Sequence, residues 1–238
     1  IAGGAESFKE VKTVKYDIPM ATPQGEQKMV AYTMRPSNIA FDQPTPTGNT
    51  VRVFSNGKYV WVESPQDTGM QVMPASQIGP IQPVLNVQNM FLELTERYKD
   101  HTTVEETDHG GKPAYRVEAI DKLDDQKSSF FFAKESGEFL GQRIAFETPM
   151  GPMNAATTVT EWEEIDGRKF VRKLEMALGP QVVTFMFGNI EVNGPEASMF
   201  EMPENIKEQI KAIEEQEQAA EEAGGGDGEG DGGEDDGQ

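Results

Sequence analysis

Between Thr13 and Met202 the chain breaks into short runs of β-branched and aromatic residues, each closed by Gly, Pro, Asn or Asp. That spacing predicts hairpins in an all-β architecture and excludes a helical bundle. The clearest hairpin is Val51 to Phe54, then Asn56-Gly57, then Tyr59 to Val62, because Asn-Gly adopts the positive φ of a tight primed turn. Further strands are expected at Thr13 to Ile18, Lys28 to Met34, Asn38 to Asp42, Tyr115 to Ile120, Ser128 to Ala133 and Phe139 to Glu147. Three more follow at Asn154 to Glu163, Lys169 to Leu178 and Gln181 to Glu191. Turns fall at Asp108 to Lys112, Glu135 to Gly137, Pro149 to Pro152, Asp166-Gly167 and Gly179-Pro180. The outline is an antiparallel meander.

Alternation is clean in Phe170, Arg172, Leu174, Met176 and Leu178, whereas Tyr59 to Val62, Phe130 to Phe132 and Val182 to Phe187 are apolar on both faces. A soluble antiparallel sheet usually leaves one face to water, so these strands need a helix layer, a second sheet or an apolar ligand over them. One internal helix is expected, from Asn86 as cap to Tyr98, with Val87, Met90, Phe91, Leu94 and Tyr98 on one stripe. The prolines of Pro74 to Pro83 make an irregular approach to it. Ala5 to Val11 reads as a short helical start with Phe8 and Val11 inward. The expected organisation is a mainly β (α+β) domain over 1–203, a helical extension over 204–221, and an acidic Gly-rich tail over 222–238 without a core.

Charge narrows the partners. Of the net −20, Glu214 to Asp236 holds eleven carboxylates and no Lys or Arg, so the rest of the chain keeps −9. An acidic body lacks the clustered cations that displace counterions from nucleic acid or dock on anionic lipid, and nucleic acid is excluded as a partner. The absence of cysteine removes disulfides, thiolate nucleophiles and Cys-ligated zinc. No apolar run approaches the roughly 18 residues of a membrane span. The sequence begins at Ile1, which points to something upstream that was removed or not included.

Motifs of chemistry are sparse. His101 and His109 lie near Asp100, Glu105 and Asp108, where a metal or acid/base pair competes with the plainer reading of surface histidines beside acids. Asp227, Glu229 and Asp231 imitate the start of a calcium loop that lacks its closing Glu. The G-x-G spacing of the same tract has no strand before it and no helix after it. Nothing resembles G-x-S-x-G, H-E-x-x-H or a P-loop, so no enzyme and no cofactor is expected. Twelve methionines suit either ordinary core packing or a surface that adapts to varied ligands.

The order of elements carries a resemblance. Gly3 to Val11 precede paired strands, then Met34-Arg35-Pro36-Ser37-Asn38, then Ser55-Asn56-Gly57-Lys58 with Trp61 and Pro65. Pro74 to Tyr98, Phe139-Leu140-Gly141 after Gly137, and Phe200-Glu201-Met202-Pro203 complete the pattern. This resembles the LolA-like periplasmic lipoprotein carriers, the outer-membrane lipoprotein-sorting family, over about residues 1 to 203. The resemblance implies a strongly curved, incompletely closed antiparallel barrel capped by helices, with an apolar cavity for the acyl chains of lipoproteins or other lipids. Tyr32, Met34, Phe41, Trp61, Met90, Phe91, Phe131 and Phe185 are then the expected lining. Arg35 matches the family arginine that holds the lid closed, here through carbonyls or carboxylates of Pro74 to Tyr98. The implied role is a non-enzymatic extracytoplasmic carrier of the bacterial envelope, with an envelope membrane protein as a possible partner. The alternative is a structural or interaction subunit whose cavity is filled by side chains.

Overall fold

Valines, isoleucines and aromatics at every second position build two antiparallel sheets, each of seven strands, in a computed structural model of the chain. The structure describes residues 8–22, 25–35, 37–45, 48–63, 71–74, 84–122, 125–148 and 151–224. The first sheet holds β1 (Thr13–Thr22), β2 (Gly25–Met34), β3 (Asn38–Pro44), β4 (Thr50–Ser55), β5 (Tyr59–Glu63) and β6 (Gln71–Pro74). β14 (Gly188–Val192) pairs with its β1 edge. The second sheet runs from β7 (Tyr98–His109) through β8 (Lys112–Asp121), β9 (Lys127–Ala133), β10 (Phe139–Thr148), β11 (Gly151–Ile165) and β12 (Arg168–Leu178) to β13 (Gln181–Met186). The sheets do not close into a barrel.

The expected run Gln181 to Glu191 is two strands. β13 belongs to the second sheet and β14 to the first, and the chain crosses at Phe187, whose N–H donates to Arg172 O at 2.9 Å. Phe187 is buried there against Tyr16, with ring centroids 5.3 Å apart and edge-on. β6 and β7 were not expected as strands: β6 has only four residues, and β7 is so polar that its interior, apart from the half-buried Thr107, is exposed. The Ser55–Tyr59 reversal is as expected in place, but it turns at Gly57 (φ +94) and Lys58, with Asn56 using its side chain to accept from Lys58 N–H and Tyr59 N–H. Asp166 and Gly167 both take positive φ, as a primed turn requires.

The inner faces of the two sheets share one core. Val14, Tyr16, Ile18, Phe41 and Val53 face it from the first sheet, and Phe130, Phe139, Leu174 and Met176 from the second. Helix α1 (Val87–Arg97) lies against β2 of the first sheet and β7 and β12 of the second, so it touches both sheets. Phe8 and Val11 are buried, as their spacing predicts.

The chain divides into two units, Ile1–Glu201 and Met202–Gln238. The second contains helix α2 (Glu204–Gly224), which runs past the expected end of the helical extension and takes in residues 222–224 of the expected tail. No helix among the described residues is long and apolar enough to cross a membrane.

Candidate ligand-binding interior

The interior is organised by the stretch that enters α1. Val84 to Gln88 are each at most 2% exposed, among the most buried residues of the chain. Such burial makes a hydrogen-bond partner costly for a polar group to lack. Two partners come from opposite sheets. The Tyr16 hydroxyl on β1 donates to Leu85 O, and burial pushes this phenol far above its ordinary pKa, which keeps it a donor. Gln88 donates from Nε2 to Val171 O at 2.8 Å and accepts from Val171 N–H at 2.9 Å. Val171 lies opposite Trp162, where β11 shifts register. A bulge disrupts the ladder locally, and Gln88 supplies the missing donor and acceptor as a neighbouring strand would.

The other end of α1 is tied differently. Lys122 Nζ donates to Thr95 O (3.2 Å) and Glu96 O (2.7 Å), and Lys122 N–H donates to Arg97 O at 2.9 Å. A cation on the last carbonyls satisfies the orphan acceptors and suits the helix dipole. Arg97 pairs with Asp121 at 2.6 Å, and His101 bonds Leu94 O at 2.8 Å. The C-terminal end is therefore fastened to β7 and β8 by several contacts, while at the N-terminal end Tyr16 and Gln88 tie the inserted stretch to the two sheets. Asn86 occupies the cap position without a side-chain capping bond.

The expected lining residues do not share one face. Phe41 and Phe185 point inward, Phe41 buried and Phe185 half-buried against the core. Period-two alternation sends Tyr32, Met34 and Trp61 to the outer face of the first sheet. There Tyr32 donates to Asp42 Oδ2 at 3.3 Å beneath the Arg52 guanidinium, and Trp61 stacks on Phe54 with centroids 5.5 Å apart. Phe131 lies on the outer face of the second sheet in a small cluster with Ala114 and Leu140. The side chains of Met90 and Phe91 lie outside the described residues. Arg35 donates from Nη2 to Lys9 O at 3.3 Å, in the turn before β1. Of the segment it was expected to latch, residues 75–83 lie outside the described ones.

Sequence reasoning passed over Gln88 and Tyr16. Gln88 carried a signal: it stands three and four residues after Leu85 and Val84, on the apolar stripe, where a polar side chain must have a buried partner. His109 is buried and not a surface residue. It stacks on Phe131 with centroids 4.1 Å apart, and its Nε2 lies 2.9 Å from Thr157 O.

No family model and no curated protein sequence matches the chain. Its fold, however, matches solved structures. A LolA superfamily protein from Nitrosomonas europaea aligns with a TM-score of 0.57 at 12% identity, over 82% of this chain and 91% of that one. A DUF1329 family protein from Desulfovibrio piger gives 0.56 at 14% identity, over 83% and 92%. A putative outer membrane lipoprotein-sorting protein domain from Vibrio parahaemolyticus gives 0.50 at 12% identity, over 82% and 92%. With its two antiparallel sheets not closed into a barrel, this chain has a LolA-like fold.

Proposed function

We propose that the chain is an extracytoplasmic, non-enzymatic carrier that takes an acyl chain of a lipoprotein or another lipid between its sheets, in the space that Val84 to Gln88 fills. The observation that carries this reading is the placement of α1, fastened to β7 and β8 at its C-terminal end while the stretch entering its N-terminal end lies inserted between the inner faces of both sheets. A swing about the fastened end exposes the inward side chains of both sheets. The energies are matched. Withdrawing Val84, Leu85 and Val87 forfeits roughly 1.5–3 kcal/mol each, and releasing the anchoring bonds costs about 1 kcal/mol apiece. A chain of about twelve methylenes recovers roughly 0.8 kcal/mol for each one buried, so exchange lies near balance and is reversible. The fold of a lipoprotein-sorting domain supports the same class of ligand.

The second reading, an interaction subunit with a filled interior, rests on how completely the inner faces are packed, with Phe130, Phe139, Leu174 and Leu85 at most 2% exposed. Titration with a fluorescent fatty acid, combined with hydrogen exchange, separates the two. A carrier gives saturable binding and faster exchange over residues 84–97 on loading. No binding with unchanged exchange there selects the interaction subunit.

A further inference from the structure

Where the chain crosses from the second sheet to the first, a groove of about 650 Å³ opens between β1, β2, β11, β12 and β14. Its charged lining is balanced: Asp17 and Glu163 against Lys28 and Arg172. Pro19, Ile165 and Ile190 supply apolar wall. We propose that this groove binds a small zwitterion, a primary ammonium joined by a short link to a phosphate or carboxylate. It lies at the seam and not under α1, so it stands independently of acyl-chain binding.

The donors and acceptors are held in place by the protein and left incomplete. Arg172 Nη1 donates to Phe187 O and lies 3.6 Å from Glu163 Oε2. Its Nε and Nη2 have no acceptor among the described residues, and the side chain is 38% exposed. A guanidinium pinned at one nitrogen with its other edge open is arranged for a bidentate anion. Asp17 Oδ2 accepts from Lys28 Nζ at 2.8 Å and from Asn189 Nδ2 at 2.7 Å, while Oδ1 accepts nothing among the described residues. Asn189 holds φ +49 to make that bond, a conformation uncommon outside glycine. Burial pushes the Asp17 carboxyl up, but the bonds from Lys28 and Asn189 and the nearby Lys15 outweigh it, and its pKa is lowered. The carboxylate is therefore charged and presents an oxygen for an ammonium.

Gly188 pairs with Asp17 across the β1–β14 ladder. A Cβ on it would stand 3.4 Å from Arg172 Nη1 and 3.9 Å from Asp17 main-chain O, so the guanidinium lies beside the strand position that carries Asp17, over a residue without a side chain. The whole chain argues for a neutral ligand. At net −20 the field repels a free anion, whereas a zwitterion carries no net charge for it to act on.

The test is calorimetric titration of the full chain with glycerophosphoethanolamine, whose phosphodiester carries a single charge balanced by its ammonium, and with dimethyl phosphate and ethanolamine separately. The zwitterion should bind at least about tenfold more tightly than either part, a gain of ~1.4 kcal/mol. Arg172→Gln should weaken it by about tenfold or more. Gly188→Val fills the floor while keeping all four charges, and should weaken it likewise even if the arginine variant fails to fold. Arg143→Gln, on the outer face of the second sheet, should leave binding unchanged. Saturation by dihexanoyl-phosphatidylethanolamine at lower concentration than by glycerophosphoethanolamine assigns the site to a lipid headgroup, and the reverse order to a free metabolite; both support the site. No saturable zwitterion binding up to about 10 mM, equal affinity for dimethyl phosphate alone, or wild-type affinity in Gly188→Val overturns it.

Discussion

His109 shows how one side chain is fixed by residues far away in sequence. Gly141, at φ +156, brings its backbone so close that an added Cβ would collide with Thr157 O and meet His109 Nε2 at 2.5 Å. The imidazole ring thus covers a glycine of the same sheet three strands away, between Phe131 on one side and Thr158 Oγ1 at 3.2 Å. Burial lowers the His109 pKa, with the Arg143 charge adding to it, while the Thr157 carbonyl opposes the shift only in part. The native state therefore favours the neutral ring. Its contribution is complete above the unfolded pKa of about 6.5 and is lost as pH falls below that value through the folded one. His109→Gln keeps a donor for Thr157 O but cannot titrate. It should cost about 1–2 kcal/mol at neutral pH through lost stacking, and its melting temperature should fall less than that of the wild type between pH 7 and 5. Asp17 does not confuse this window, since its carboxyl is held low. Parallel melting curves would show that the ring is not held neutral. None of this was legible in sequence, because the partners of His109 stand 48 and 49 positions away.

Elements were legible where their own pattern sufficed. Hairpins marked by Asp166-Gly167 or Gly137 appear where expected because the turn residue and strand alternation are local. β7 was missed for a physical reason: its interior faces solvent on both sides, so no alternation marks it, and Lys134, Arg116 and Lys99 pair with its or the adjoining acids instead. The crossing at Phe187 was missed because a run apolar on both faces reads as one buried strand, whereas here it marks a change of sheet. Tyr16 and Gln88 tie the α1 insertion to the two sheets, which makes it testable. Gln88→Leu preserves volume but leaves the N–H and C=O of Val171 unpaired in the core, and each orphaned group costs about 1–3 kcal/mol. The variant should lose about 2–4 kcal/mol in chemical denaturation, and hydrogen exchange should quicken over 84–97 while the β10–β11 ladder stays protected. Tyr16→Phe should cost about 1 kcal/mol with the same regional signature. Uniform quickening across both sheets would show that α1 is part of one cooperative core and cannot open alone.

At the scale of the whole molecule, charge and core are segregated along the chain. The lining expected from the family resemblance was only partly placed inward, because a resemblance gives the order of strands but register decides which face each side chain takes: Ala31 pairs with Phe41 on the inner face while Tyr32, one residue on, faces out. The C-terminal tract poses the opposite case, where composition alone decides. Residues 225–238 contain only Gly, Asp, Glu and Gln, with six carboxylates, so no apolar area is available to offset the entropy of ordering them. Removing them takes the net charge from −20 to −14. A chain ending at Gly224 should therefore match the full chain in chemical denaturation within about 0.5 kcal/mol. Both should gain stability as salt rises from about 20 to 500 mM, since the Debye length shrinks and the acidic body repels itself less. A loss above about 1 kcal/mol on truncation at low salt, vanishing at high salt, would mean instead that the six carboxylates dock on cations of the body such as Lys28 or Arg172, and that the tract competes with ligand for the seam groove.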